Sequence, residues 1–201
     1  MTVASIPTGG LLAARFRVLR IFDPWRGRLC TCPPKYSLHP YTGCTHSCLY
    51  CYATSYIRRR DSSPKREFLL KLSRDLRRAS REIPIAMSTS SDPYPPEEER
   101  LYLTRNTLAM LSREGFRVLI VTKSDMVSRD LDLLEKGRAS VSITITTLDA
   151  NLAKILEPRA PPPSARLRAL RNLSRAGIPT SVRVDPVIPT LNDDPAELEE
   201  L

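Results

Sequence analysis

Cys44, Cys48 and Cys51 lie within eight residues, in the run Tyr41-Thr42-Gly43-Cys44-Thr45-His46-Ser47-Cys48-Leu49-Tyr50-Cys51-Tyr52. Thiolates bind iron and zinc, and one short loop can bring all three to a shared centre. The C-x3-C-x2-C spacing suits three corners of a cubane [4Fe–4S] cluster. A cluster that only carries electrons normally has four cysteine ligands. With three, one iron keeps a coordination position open for a substrate or cofactor. The same thiols also suit zinc, with His46, His39, Cys30 or Cys32 as the fourth ligand. A zinc ribbon pairs two close cysteines with a distant second pair, and Cys30-x-Cys32 is tight for that second knuckle.

With its aromatic residue before the last cysteine, this run resembles the signature of the radical S-adenosylmethionine (SAM) enzymes. Further segments follow in the order of that superfamily's spore photoproduct lyase-like branch: 90–95 (SSDPYP), 122–124 (TKS), 142–149 (SITITTLD), 156–161 (LEPRAP) and 186–193 (PVIPTLND). The resemblance runs from about residue 35 to the C-terminus. It implies an α/β fold, a partial (β/α)6 TIM-type barrel that here lacks its last β/α unit. It also implies a [4Fe–4S] cluster on Cys44, Cys48 and Cys51, with SAM chelating the open iron. One electron from an external donor, passed through the cluster, would then break a carbon–sulfur bond of SAM and leave a 5′-deoxyadenosyl radical. Branch members are often labelled DNA repair photolyases, so the implied substrate is nucleic acid. A radical maturase acting on a protein partner, or a zinc-stapled nucleic-acid-binding module without catalysis, are the alternatives. Spore photoproduct lyase uses a cysteine as hydrogen donor where this chain has Thr89 or Ser90, and no cysteine follows Cys51. A threonine O–H bond is far stronger than a thiol S–H bond, so a substrate other than the spore thymine dimer is expected.

The elements that must hold these residues alternate between strand and helix. Apolar spacing predicts helices over 67–81, 104–114, 129–135 and 165–176, with a further helix starting at 195. Gly115 and Gly177 are expected helix stops, and Ser128 and Ser164 expected N-caps. Strands are expected at 36–39, 85–87, 118–122, 141–146 and 180–186. Five β/α units of this kind give a parallel sheet with right-handed crossovers. Residues 1–34 read as a leader wrapped on a core domain spanning 35–201. The sequence ends inside the fifth helix, so either a truncated or an unusually short member of the branch is expected.

Barrel-type folds place their sites at the C-terminal ends of the strands, which is where the cysteine loop falls. The superfamily segment that meets the methionine amino group corresponds here to Ser88, Thr89, Ser90 and Asp92. Those residues offer acceptors to an ammonium, although Ser-Asp-Pro is also a common turn. Lys123 ends the third strand, where its ammonium can meet the SAM carboxylate. Ser142, Thr144 and Thr146 share one face of the fourth strand by period-two alternation, with the first two placed for ribose hydroxyls. Tyr50 and Tyr52 flank Cys51 and can pack on the cluster or the adenine, with simple core packing the alternative for Tyr52. Arg183 and Asp185 form a candidate buried pair, and Asn192 and Asp193 a candidate Asx turn. Cys30 and Cys32 suit a second metal site, a redox pair or plain burial.

The chain has 201 residues and a formal net charge of +9, carried largely by arginine. Clusters fall at 58–60 and at Arg74, Arg77, Arg78 and Arg81. A surface of this sign attracts polyanions with strong salt dependence. The early apolar stretch is interrupted by Arg15, Arg17 and Arg20, which excludes a membrane span there. Five cysteines with no signal peptide point to metal ligation in the cytoplasm over a disulfide framework.

Overall fold

The computed structural model describes residues 16–22, 33–58, 60–87 and 90–201. Ser88, Thr89, Cys30 and Cys32 therefore lie outside the described residues, as does most of the 1–34 leader. In chain order the elements are β1 (Arg20–Phe22), β2 (Lys35–Leu38), β3 (Tyr41–Thr42), α1 (Thr54–Ile57), β4 (Ser63–Pro64), α2 (Phe68–Leu76), β5 (Ile85–Met87), α3 (Glu98–Leu101) and α4 (Leu103–Arg113). They continue with β6 (Arg117–Thr122), α5 (Leu131–Lys136), β7 (Arg138–Thr144), α6 (Ala150–Leu156), α7 (Pro163–Arg175), β8 (Thr180–Arg183) and α8 (Pro195–Glu200).

The main sheet runs β1-β2-β5-β6-β7-β8. Its last five strands are parallel neighbours, which matches the five β/α units expected. The leader is less irregular than its sequence suggests. β1 pairs antiparallel with β2, and Leu19 is fully buried. Asp75 of α2 anchors this segment by accepting from the backbone N–H groups of Arg17, Val18 and Leu19 at 2.7–3.0 Å.

Period two along the strands divides the sheet into two unlike faces. Tyr36, Leu38, Ile85, Met87, Val118, Ile120, Val141 and Ile143 form the apolar face and are buried. Leu72 and Leu76 of α2, Leu108 and Leu111 of α4, and Leu173 of α7 belong to the same core cluster. Each such side chain contributes roughly 1.5–3 kcal/mol by leaving water. The opposite face carries three registered rows, Ser37-Ala86-Leu119-Ser140, Val121-Ser142-Ser181 and Thr144-Arg183. At its upper end this face presents Val121 and Thr144 to the cleft described below.

Both predicted glycine stops form. Gly115 and Gly177 have φ of 76° and 75°, a left-handed conformation that costs glycine little. Phe116 N–H reaches the Leu111 carbonyl and Ile178 N–H reaches that of Leu173, closing a Schellman motif at each helix end. The predicted N-caps do not hold. Residues 125–130 form a short 3-10 helix capped by Ser124, whose hydroxyl accepts from Met126 N–H, and Ser128 lies within it. α7 begins at Pro163 without a side-chain cap, because proline needs no N–H partner at that position. The sequence reading assigned no element to 150–156, where α6 stands. Asp149 caps it by accepting from Asn151 and Leu152.

Candidate functional site

The C-terminal ends of β2, β5, β6 and β7 converge on a cleft of about 200 Å³. Cys44, Cys48 and Cys51 line it, together with Ser90, Asp92, Lys123 and Thr144. All three thiols are free and partly buried. The loop that carries them is a succession of tight turns, with Ser47 N–H on the Cys44 carbonyl, Cys51 N–H on that of Cys48 and Thr54 N–H on that of Cys51. Ser47, between the first two cysteines, is left-handed at φ 52°. Non-glycine residues take that conformation at a cost, and such strain concentrates at functional sites.

Two neighbouring segments clamp this loop. On one side, Thr45 and Ser62 exchange hydroxyl and backbone bonds at 3.0–3.1 Å. On the other, Leu49 N–H donates to the Leu156 carbonyl at 2.8 Å, and Arg159 N–H donates to that of His46. Burial pushes the Cys44 thiol up to about 11 and the Cys48 thiol up to about 12. A metal centre here must displace those protons.

Asp92 does more than close a turn. It accepts from Tyr94 N–H, from the Thr122 hydroxyl at 2.7 Å and from Lys123 N–H at 2.8 Å. Its other neighbour is buried His46, with Nδ1 3.5 Å away. Burial lowers the His46 pKa, against the pull of Asp92. Asp92 therefore ties the end of β5 to the end of β6 beneath the cysteine loop. Ser90 lies 3.4 Å from His39, whose imidazole also meets the Ser37 hydroxyl.

Glu157 is the residue that sequence reasoning missed. It sits just after α6, only 2% exposed. Oε1 accepts from the Tyr50 hydroxyl and, at 2.7 Å, from the Thr146 hydroxyl. Oε2 faces Nη2 of the buried Arg166 at 2.5 Å. Lys123 Nζ stands 3.7 Å from Oε1 and 5.4 Å from the centre of the Tyr50 ring. Burial alone would raise the Glu157 carboxyl, but Arg166, Lys123 and the two hydroxyls hold it below its ordinary value. One carboxylate thus joins the cysteine loop, the ends of β6 and β7, and α7. The signal for it was present in the LEPRAP segment: a glutamate at a helix end, among apolar residues.

The remaining expectations divide. Thr144 lines the cleft, while Ser142, on the same face below it, accepts from Ser181 and does not line it. Tyr50 turns toward Glu157 and Lys123, and Tyr52 is 69% exposed at the rim of the cleft, so Tyr52 does not pack in the core. Arg183 and Asp185 bond each other at the surface, not in a buried pair. Asn192 exceeds a simple turn. It is buried, and its amide reaches the Thr146 and Pro186 carbonyls while its oxygen accepts from Ile188 N–H. Asp193 does make the local turn, accepting from Thr190 N–H. Among the described residues, no three His, Cys, Asp or Glu side chains converge on one ion-sized position. No helix of the described residues is long and apolar enough to cross a membrane.

A parallel β/α sheet with a three-thiol loop at the C-terminal ends of its strands defines a β/α-barrel-type protein with its site in the usual place. Residues 38–201 match the Radical SAM superfamily, and the chain belongs to that family. An uncharacterized protein of Mycobacterium tuberculosis (strain H37Rv) is 32% identical over 184 residues, covering 84% of this chain and 54% of the relative. An uncharacterized protein of Methanocaldococcus jannaschii is 35% identical over 166 residues, covering 79% and 62%. This chain thus spans little more than half the length of these relatives. Among solved structures, spore photoproduct lyase complexed with dinucleoside spore photoproduct superposes with a TM-score of 0.65 at 19% identity, covering 77% of this chain and 46% of the lyase. A radical SAM methyltransferase from Sphaerobacter thermophilus gives 0.55 at 20%, covering 83% and 52%. Likenesses at these identities speak for the fold.

Proposed function

We propose that this chain binds a [4Fe–4S] cluster through Cys44, Cys48 and Cys51 and cleaves SAM reductively, with nucleic acid as the substrate class. The observation that carries the reading is that all three thiols line one cleft at the C-terminal ends of the parallel strands. The donor set fits the group. In a cubane each cysteine binds its own iron, so three thiols around a cleft need not meet at one point. Zinc needs four ligands converging on one ion. Here His46 is held against Asp92, and His39 against Ser37.

The chemistry such a cluster supplies when bound is the electron that breaks a carbon–sulfur bond of SAM. The residues of the cleft bind and orient. Lys123 offers an ammonium to a carboxylate, a charge-assisted contact. Ser90 and Thr144 present hydroxyls to the same space. Asp92 and Glu157 set the floor and wall by fixing the backbone of Lys123 and the ring of Tyr50. The tyrosine shields the cysteine loop on that side.

Anaerobic reconstitution with iron and sulfide should give brown protein that releases 5′-deoxyadenosine from SAM when dithionite is added. Cys48→Ala should lose both colour and product. Colourless wild-type protein carrying one zinc, or iron-loaded protein that makes no deoxyadenosine, overturns the reading.

A further inference from the structure

Six of the described cations lie at the end of the sheet opposite the cleft. Parallel strands begin there and the intervening helices end there. Arg77 and Arg78 follow α2, Lys136 ends α5, and Arg175 ends α7. Arg117 opens β6 and Arg138 opens β7, and these two are direct register partners. All six are exposed. None is drawn into a salt bridge with a described residue, although Arg117 donates to the Glu82 carbonyl. By contrast, Arg105, Lys123, Arg129 and Arg166, toward the cleft end, each face a carboxylate.

A cation at a helix C-terminus is ordinary, because it offsets the helix dipole. That accounts for one residue per helix and for neither strand arginine. Like charges directly opposite on adjacent strands destabilise a sheet. Arg117 and Arg138 carry that cost without a described carboxylate to relieve it. Nearby Glu114 is engaged with Arg81 at 3.0 Å.

We infer that this lower rim is a docking surface for the phosphate backbone of a nucleic acid. Guanidinium groups grip phosphate oxygens in a two-pronged geometry. A protein partner would need an apolar or aromatic centre to its interface. The most exposed large apolar side chains, such as Leu49, Tyr52, Tyr56 and Val187, lie elsewhere, Leu119 beside Arg117 is only 36% exposed, and Ile83, Phe116 and Ile178 at the rim are buried. The six residues of β6 separate rim from cleft by about 20 Å, at roughly 3.3 Å per residue. The backbone segment held at the rim is therefore not the one presented to the cleft. The rim anchors the polymer without reading its sequence.

Fluorescence anisotropy of the full chain with a short labelled DNA duplex, over a series of KCl concentrations, tests this without any cluster. A failure here thus leaves the SAM reading standing. Wild type should bind with a steep dependence on log salt. Arg117→Ser/Arg138→Ser should weaken binding equally for unrelated sequences and flatten the slope by about 1.8, at roughly 0.9 per lost phosphate contact. Arg60→Ser, on the cysteine-loop side, should leave the slope unchanged. Circular dichroism confirms that each variant is folded. No binding by wild type at low salt overturns the inference. So does a slope that responds to Arg60→Ser but not to the rim pair, or capture of poly-glutamate with no capture of DNA.

Discussion

Replacing Glu157 with alanine removes the counter-charge of a guanidinium that is 1% exposed. Stranding one member of a buried ion pair costs about 3–5 kcal/mol. For a chain of 201 residues, with roughly 2–4 °C per kcal/mol, the expected fall in Tm is about 6–20 °C. Thermal melting followed by circular dichroism measures that fall, and urea titration of the purified chain measures the free energy. Arg166 keeps two carbonyl acceptors, those of Pro161 at 2.7 Å and Thr144 at 3.0 Å. A loss under about 1 kcal/mol would mean that these acceptors suffice and that the ion pair contributes little. The decisive comparison adds a second change. Glu157→Ala/Arg166→Met removes both charges, so it should be more stable than Glu157→Ala alone, because a buried pair replaced as a unit is tolerated far better than a broken one. If the double variant is no more stable, the reasoning fails. The pH dependence has a definite sign. Folding holds the Glu157 carboxyl below its usual 4.5. Its contribution is therefore fully present above that value and lost as pH falls through the lower, folded one. Glu157→Gln lacks this component, so the stabilities of wild type and variant should converge on acidification.

Other outcomes follow from the same geometry. Burial, then Lys65, lowers His39 from 6.5 to about 4. The unfolded chain then binds the extra proton first, so stability should fall as pH drops from about 6.5 to 4, by up to roughly 3 kcal/mol, and His39→Gln should flatten that limb of a pH–urea series. Asp75→Ala strands three backbone N–H groups and should cost about 3 kcal/mol, with faster hydrogen exchange at residues 17–19 as the local readout. Lys123→Met removes the ammonium from the cleft while keeping its length. It should raise the SAM concentration needed for half-maximal deoxyadenosine formation by tenfold or more, with iron content unchanged.

Much of the molecule was legible in one dimension because its determinants are local. The cysteine spacing sits within a single loop, and helix and strand periods follow from backbone geometry alone. The glycine stops at 115 and 177 worked because left-handed backbone favours glycine whatever surrounds it. The caps at Ser128 and Ser164 failed because the start of a helix depends on what precedes it. At the first, Ser124 opened a 3-10 turn earlier in the chain. At the second, proline began the helix without a cap.

Sequence alone determined the thiol trio, the β/α repeat, the hydroxyl-bearing face of β7 and the basic charge. Tertiary structure decided which of these residues meet. Glu157 is separated by 107 positions from Tyr50 and by 11 from Thr146, and no local rule predicts that one carboxylate serves both while facing Arg166. Long-range pairing of this kind is set by how strand ends and helices pack, and burial then forces every charge so enclosed to find its partner.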